Sequence, residues 1–332
     1  MTKHKCVLLY SGGLDSILAA KVLQEQNIEV IGFHCILPFM PDDFSTDDLA
    51  PVKQAKQIDL PLVIYKCGHE YMEMVKSPPH GHGKNMNPCI DCKIFFIKKA
   101  AEYMHECGAA FVATGEVVGQ RPMSQLKHTL NHIINVTHLD GRLLRPLSAK
   151  ILKPTLVEEQ GIVDRDRLLD ISGRGRRIQM QLAEKYGITD YASPAGGCLL
   201  TDANVSARLR DLFAHHENYT HIDTYLLTIG RHFRLDEKAK LIVARNEFES
   251  IALENCKASA QTFFEPTFKG PTAYLCGEPT KDITELAVSI VCRYGKPDFI
   301  ENKVIVSQKN EQVNEVIVKE PASEELLNQL RI

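Results

Sequence analysis

Along the first half of the chain, apolar residues fall in short blocks that alternate between two periods. Lys5–Tyr10 (KCVLLY) is a brief run of strand type, and Ser16–Gln26 (SILAAKVLQEQ) carries its apolar residues at helical spacing. Val30–Cys35 (VIGFHC) predicts a second strand, Pro51–Gln57 part of a helix, and Leu62–Lys66 (LVIYK) a third strand. Cys92–Cys107 repeats as a long helix, and Phe111–Thr114 (FVAT) predicts a fourth strand. Strands separated by helix-length segments imply an α/β fold with a doubly wound parallel sheet.

The pattern changes twice more. Between the third strand and the long helix, Ser77–Cys89 (SPPHGHGKNMNPC) is rich in Pro, Gly and Asn, which predicts a long loop and a candidate mobile active-site segment. From Ile151 to Tyr191 the chain turns helical and basic, and Asp211–Asn218 reads as a connector. Beyond it, His221–Ile229, Leu241–Ala244 and Lys303–Val306 read as short β-type runs. The expected division is therefore residues 1–214 and 215–332, the second a smaller α+β domain.

Composition narrows the class. A chain of 332 residues with 44% hydrophobic and 24% charged residues has the make-up of a globular protein, not a disordered or collagen-like one. The apolar stretch Ile28–Met40 is broken by Glu29, Gly32 and His34, well short of the ~18 residues of a membrane span. The opening residues are too short for a secretory segment, so a cytoplasmic protein with no membrane partner is expected. A net charge of −3 means that any RNA contact must use a local basic patch. Ten cysteines without an export signal are expected to be reduced thiols, metal ligands or nucleophiles.

The strongest chemical signal is Ser11-Gly12-Gly13-Leu14-Asp15-Ser16, which follows the first strand and opens the first helix. Gly12 and Gly13 allow a tight turn close to an anion, and the helix N-terminus offers free N–H groups. Ser11 and Ser16 add hydroxyls. Asp15 is suited to orienting the loop or holding a magnesium ion (Mg2+). A bland reading is a Ser/Gly turn that caps a helix. No Gly-Lys-Ser/Thr follows, so this is not a Walker A loop.

SGGLDS resembles the PP-loop of the ATP pyrophosphatases, the adenine nucleotide α-hydrolase group. That resemblance implies ATP bound in the loop, cleavage between the α and β phosphates, and transfer of AMP to a substrate oxygen. Ala113-Thr114-Gly115-Glu116 ends the fourth strand on the same sheet edge and resembles the family's Thr-Gly turn, so Gly115 is expected at the nucleotide. Phe33 and His34, ending the second strand, are expected beside the adenine, or else form an ordinary half-buried strand end.

Asn87-Pro88-Cys89-Ile90-Asp91-Cys92 places two thiols at the mouth of the long helix, where the helix N-terminus would favour thiolate. Ser193-Pro194-Ala195-Gly196-Gly197-Cys198 places another in a Gly-rich turn. On spacing alone a structural zinc site, completed by His80 or His82, and a plain redox pair both remain open. Cys6, Cys35 and Cys67 lie on or beside apolar strands and are expected in the core.

NPCIDCK followed by GGCLL resembles the tRNA thiolation branch of the PP-loop proteins, both 2-thiouridylases and 4-thiouridine synthetases. In the 2-thiouridylase pattern an Asp stands where this chain has Cys89. The departure points towards the three-cysteine, iron–sulfur-dependent type. The resemblance implies a [4Fe–4S] cluster on Cys89, Cys92 and Cys198 whose open iron holds sulfide. Its rival makes Cys92 or Cys198 a persulfide carrier, with the other resolving a disulfide. Asp15, Cys92 and Cys198 are the expected catalytic residues. A sulfur donor, inorganic sulfide or a cysteine desulfurase, and tRNA are the implied partners. A small-molecule sulfurtransferase or ligase, and a non-catalytic RNA-binding protein with a structural metal, are the alternatives.

Gly119-Gln120-Arg121-Pro122-Met123-Ser124-Gln125 resembles a segment of 4-thiouridine-synthetase-like proteins. Gln120, Arg121 and Gln125 are candidates to position RNA. Arg174, Arg176 and Arg177, ahead of a helix, suit phosphate contacts, although Asp164, Asp166 and Asp170 make a solvated mixed-charge face an equal reading. Gly230–Leu235 and Val243–Glu247 resemble a small RNA-associated domain of NFACT proteins.

Overall fold

The computed structural model describes residues 3–41, 43–192, 198–296, 303–308, 313–317 and 320–332. The Gly-rich turn read at 193–197 lies outside them. The chain divides into two compact units, Met1–Pro38 with Asp43–Thr201, and Phe39–Asp42 with Asp202–Ile332.

The first unit is the expected parallel α/β fold. Strands β1 (Lys5–Leu9), β2 (Glu29–Ile36), β3 (Leu62–Lys66), β4 (Phe111–Thr114) and β5 (Leu143–Leu144) form one sheet in the order β3-β2-β1-β4-β5. All pairings are parallel, with Leu8 opposite Gly32 on one side and Ala113 on the other. The connections hold α1 (Leu14–Gln24), α2 (Ala50–Lys56), α3 (His69–Lys76), α4 (Cys89–Glu106) and α5 (Lys127–Thr137); α6 (Leu156–Glu159) and α7 (Arg177–Lys185) follow. One face of the sheet packs through Leu8 and Ala113 on Ile17, Leu18 and Leu144. The other packs through Val7 and Val112 on Ile94, Ile97, Met104 and Ile133 of α4 and α5. The order reverses beside β1, so the crevice at the carboxyl ends of β1 and β4 is where such a sheet binds its ligand.

The second unit carries α8 (Ala203–His215), α9 (His221–Leu226), β6 (Arg231–Arg234), β7 (Lys240–Val243), α10 (Glu247–Asn255), β8 (Thr262–Pro266), β9 (Ala273–Cys276), α11 (Lys281–Tyr294), β10 (Lys303–Gln308), β11 (Val313–Ile317) and α12 (Glu324–Leu330). Its sheet is antiparallel, ordered β11-β10-β8-β9-β7-β6, with Phe233, Leu241, Phe264 and Leu275 packed against Ala287, Val288 and Val291 of α11.

Two expectations for this region fail for identifiable reasons. Asp211–Asn218 is not a connector up to His215: α8 runs to that residue and is tied into the second unit, because the buried Arg208 guanidinium donates to the carbonyls of Leu227 and Gly230, each at 2.9 Å. Residues 202–214, placed with the first domain on sequence grounds, therefore group with the second unit. His221–Leu226 is helix α9 instead of strand, because Thr220 and Asp223 close a capping box at its start.

Candidate active site

The Ser11–Ser16 segment leaves β1 and enters α1 as expected. Gly12 sits at φ +74°, and a Cβ there would lie 2.2 Å from the Gln54 amide and 2.9 Å from Pro51 Cα, so the start of α2 requires glycine. With its amide oriented to satisfy its neighbours, Gln54 donates to the Gly12 carbonyl at 2.8 Å and accepts from the Ala192 N–H at 3.1 Å. The Ser16 hydroxyl donates back to the Gly13 carbonyl at 2.8 Å and shares a 3.4 Å contact with the Ser11 hydroxyl. Gly115, at the end of β4, comes so close that a Cβ would lie 2.7 Å from the backbone of Asp15 and Ser16. These two glycines are thus explained by backbone packing around one crevice.

The crevice is a cavity of about 370 Å³. Its lining brings together Ser11, Gly13, Asp15, Ser16, Phe33, His34, Gly115, Gln120, Arg121, Gln125 and Arg176 from the sequence-predicted set. Gly12 shapes the loop from outside that lining. Arg174 and Arg177 are exposed and do not line the cavity. Phe33 is buried and stacks between Tyr65 and Tyr103, at centroid distances of 5.9 and 5.6 Å. His34 donates from Nδ1 to the Tyr10 carbonyl at 2.8 Å, and burial lowers its pKa, so the ring is neutral at pH 7.

Asp15 has one buried carboxylate oxygen, Oδ1, without a hydrogen-bond partner, and its Oδ2 lies 3.7 Å from Arg176. A buried anionic oxygen left unpaired beside a phosphate-type loop fits a magnesium ion carried in with a nucleotide. Glycine approach, helix N-terminus and the Arg121 and Arg176 side chains fit the phosphates.

Sequence reasoning missed two charged residues of the wall, Glu116 and Lys93, and their buried partner Arg145. Glu116 is 3% exposed and receives Arg145 Nε at 3.1 Å and the Thr114 hydroxyl at 3.1 Å, with Lys93 Nζ 3.4 Å from its other oxygen. Burial alone drives the Glu116 carboxyl up, but the positive charges of Lys93 and Arg145, with the hydrogen bonds, outweigh it and hold the pKa below the ordinary value. Glu116 stands in the Thr-Gly turn, but nothing in the sequence marks Arg145 or Lys93 as its partners. The one clue for Lys93 is its place directly after Cys92.

The thiols behave differently from the helix-terminus argument. Cys89 and Cys92 lie in the first turn of α4, yet the Cys92 pKa is pushed up to about 12 by loss of hydration, against a hydrogen bond from Tyr71, whose hydroxyl is 3.5 Å from Sγ. Cys198 is also pushed up by burial, against the N–H groups of Leu200 and Thr201 and the charge of Arg121. Cys198 raises the Cys92 pKa and Cys89 raises that of Cys198, so the three thiols occupy one neighbourhood. They do not form a ready metal centre: among the described residues no three His, Cys, Asp or Glu side chains lie where they would hold one ion. His80 and His82 do not complete a site either. His80 binds Asp91 (2.7 Å) and His132 (2.6 Å), and His82 donates to the Val75 carbonyl (2.7 Å).

Cys67 is buried, as expected of a core residue, but Cys35 opens onto the cavity. A hydrogen bond with Cys67 and burial raise the Cys35 pKa, and Cys92 adds to the effect, so this pair extends the thiol neighbourhood along the sheet edge.

A parallel α/β domain with a glycine-rich loop and a thiol-bearing helix beside one crevice defines the class of fold. Residues 4–156 match the family model described as the tRNA methyl transferase HUP domain, and residues 230–331 the one described as the NFACT protein RNA binding domain. Among curated relatives, the chain is 33% identical over 131 residues to the tRNA-specific 2-thiouridylase MnmA of Petrotoga mobilis, covering 35% of this chain and 36% of the relative. It is 29% identical over 152 residues to a probable tRNA sulfurtransferase of Methanobrevibacter smithii, covering 44% and 38%. The chain thus spans little more than a third of the length of these relatives. Among solved structures, the U34-tRNA thiolase NcsA from Methanococcus maripaludis with its [4Fe-4S] cluster aligns over 68% of this chain and 69% of that one, at 17% identity and a TM-score of 0.30. A 4-thiouridine synthetase–RNA complex with bound ATP aligns over 55% and 50%, at 20% identity and a TM-score of 0.33. The resemblance to the tRNA thiouridine synthetase branch of the PP-loop proteins is borne out by the family model over residues 4–156 and, separately, by the curated relatives. No helix among the described residues is long and apolar enough to cross a membrane.

Proposed function

We propose that this chain is an ATP-dependent tRNA uridine thiolase. The observation that carries the reading is geometric: the cavity that the Ser11–Ser16 loop lines is also lined by Cys35, by Arg121 and by Lys93, the residue that directly follows Cys92 in the first turn of α4. Nucleotide chemistry and sulfur chemistry share one wall.

In this reading the Ser11–Ser16 loop and Arg176 hold the ATP phosphates, and Asp15 holds magnesium against them. A uridine carbonyl oxygen attacks the α-phosphorus and pyrophosphate leaves. The carbon then carries AMP, a far better leaving group than oxide. A sulfur nucleophile brought to the Cys89, Cys92 and Cys198 neighbourhood by an external donor displaces AMP. Gln120 and Arg121 position the base, Arg174 and Arg177 the RNA backbone, and residues 230–331 add an RNA-binding module. Closing the crevice protects the adenylate from water.

Cys89 decides how the sulfur is held. A [4Fe–4S] cluster would take all three thiolates, each on a different iron. A persulfide on Cys92 resolved by Cys198 needs only two. The test is anaerobic purification with iron and sulfide analysis, followed by incubation with unmodified tRNA, ATP and sulfide or a persulfide donor, and thionucleoside analysis of the product. Cys92→Ala and Cys198→Ala are expected to abolish thiolation. Cys89→Ala abolishes it only in the cluster chemistry. RNA that remains free of thionucleosides with the wild-type protein under every donor, while ATP is still converted to AMP, would redirect the reading to a small-molecule substrate. No AMP formation with any RNA would leave a non-catalytic RNA-binding protein.

A further inference from the structure

We propose that Asn85 is a positioning residue, which with the Met86 backbone holds Cys198 beside the Cys89 and Cys92 helix. The inference builds on the reading of the three thiols as one site, and it assigns the device that assembles them.

Cys198 lies more than a hundred residues downstream of Cys89 and on a different element, so something must bring the two together. The loop before α4, expected to be mobile, is instead tied at several points. His80 N–H donates to Asp91 Oδ2 at 3.0 Å and Gly83 N–H donates to the Asn87 carbonyl at 2.8 Å. From this braced loop, two donors reach the short turn that follows Cys198. The Asn85 side-chain N–H donates to the Thr201 carbonyl at 2.8 Å, and the Met86 N–H donates to the Leu200 carbonyl at 3.1 Å. Asn85 sits at φ +59°, where asparagine is among the few side-chain residues readily accepted.

The two bonds also orient the turn. In a trans peptide the C=O and N–H point in opposite directions. Holding the Leu200 carbonyl on the loop side therefore aims the N–H of the same peptide, that of Thr201, back towards Cys198. There it closes the turn on the Cys198 carbonyl at 2.8 Å and acts on the Cys198 sulfur. The loop thus sets both the place of the third thiol and the donors around it.

The test reads thiol proximity on the full-length, reduced, metal-free protein, with no RNA or sulfur donor, so its failure is separate from any failure of the thiolase reading. The probe is dibromobimane, which becomes strongly fluorescent when both arms have alkylated thiols, with the bridged peptides identified by mass spectrometry. The wild type is expected to give bridges from Cys198 to Cys89 or Cys92. Asn85→Asp keeps size and tolerance of the left-handed backbone but loses the donor. It is expected to cut the Cys198 bridges about fivefold, the population change that loss of one ordinary hydrogen bond gives, with nucleotide affinity unchanged. Asn85→Gly, which frees the backbone and removes the amide, is expected to do the same. Wild-type bridging in Asn85→Asp would overturn the proposal. So would parallel loss of bridging and nucleotide binding in both variants, because Asn85 would then act through the fold at large.

Discussion

At the scale of single residues, the cavity is set by contacts that tolerate little. Gly115→Ala places a methyl 2.7 Å from the α1 backbone, which cannot yield as a side-chain end would. Overpacking of this kind costs about 1–3 kcal/mol, so ATP affinity is expected to fall about tenfold, measured by titration with a fluorescent ATP analogue. An unchanged affinity would mean that β4 does not press on the Ser11–Ser16 loop. Glu116 offers a second test. Removing it leaves Arg145, 1% exposed, as an unpaired buried charge, which costs about 3–5 kcal/mol, read as the denaturant midpoint. Because its folded pKa is held below that of the unfolded chain, the pair contributes stability at pH above ~4.3 and loses it as pH falls through the depressed value. Glu116→Ala is expected to flatten that acid-side loss. The Ser11–Ser16 loop is legible in the sequence because its residues are contiguous and sit between a strand and a helix. The Glu116, Arg145 and Lys93 cluster is not, since three separate elements supply it and each residue alone passes for an ordinary surface charge. The Cys92 pKa escapes sequence reasoning for a related reason: a helix terminus is visible in the sequence, whereas the burial that overrides it is a product of tertiary packing.

At the scale of elements, strand–helix alternation in the first unit follows directly from the period of apolar residues, and β1 to β4 fall within a residue or two of expectation. Helix α9 does not, because its apolar Ile222, Tyr225 and Leu226 are too few to show a period and the signal lies in the Thr220–Asp223 box. Thr220→Ala is expected to cost about 1 kcal/mol, seen as a lowered unfolding midpoint of the second unit. The loop before α4 carries a sharper prediction. Its content of Pro, Gly and Asn signals irregular backbone, and irregular backbone need not be mobile. Asp91, 4% exposed, clamps it by receiving two bonds from His80. Asp91→Ala removes both and leaves His80, among the described residues, with its bond to His132, so limited proteolysis within 77–88 is expected to accelerate, corresponding to a loss of about 1–3 kcal/mol against local opening. Equal cleavage of variant and wild type would show that the other ties suffice without the clamp.

At the scale of the whole molecule, the two units hold separate cores, and every residue lining the cavity beside the Ser11–Ser16 loop belongs to the first. A chain ending at Thr201 is therefore expected to keep its ATP affinity within about twofold of the full protein, since the cavity wall stays whole. RNA should respond in the opposite way. The full chain carries a net charge of −3, so in the proposed function an affinity for tRNA would not come from a diffuse positive surface and would need a few local contacts. Residues 230–331, which match an RNA-binding family model, are absent from the shortened chain, while Arg121, Arg174 and Arg177 remain. Binding of tRNA measured over a range of salt is then expected to weaken, and the slope of log K against log salt to become shallower by about 0.7–0.9 for each RNA phosphate that the shortened chain no longer neutralises. A truncated chain with the same slope as the full protein would place all the RNA contacts on the first unit, and the second unit would need another role.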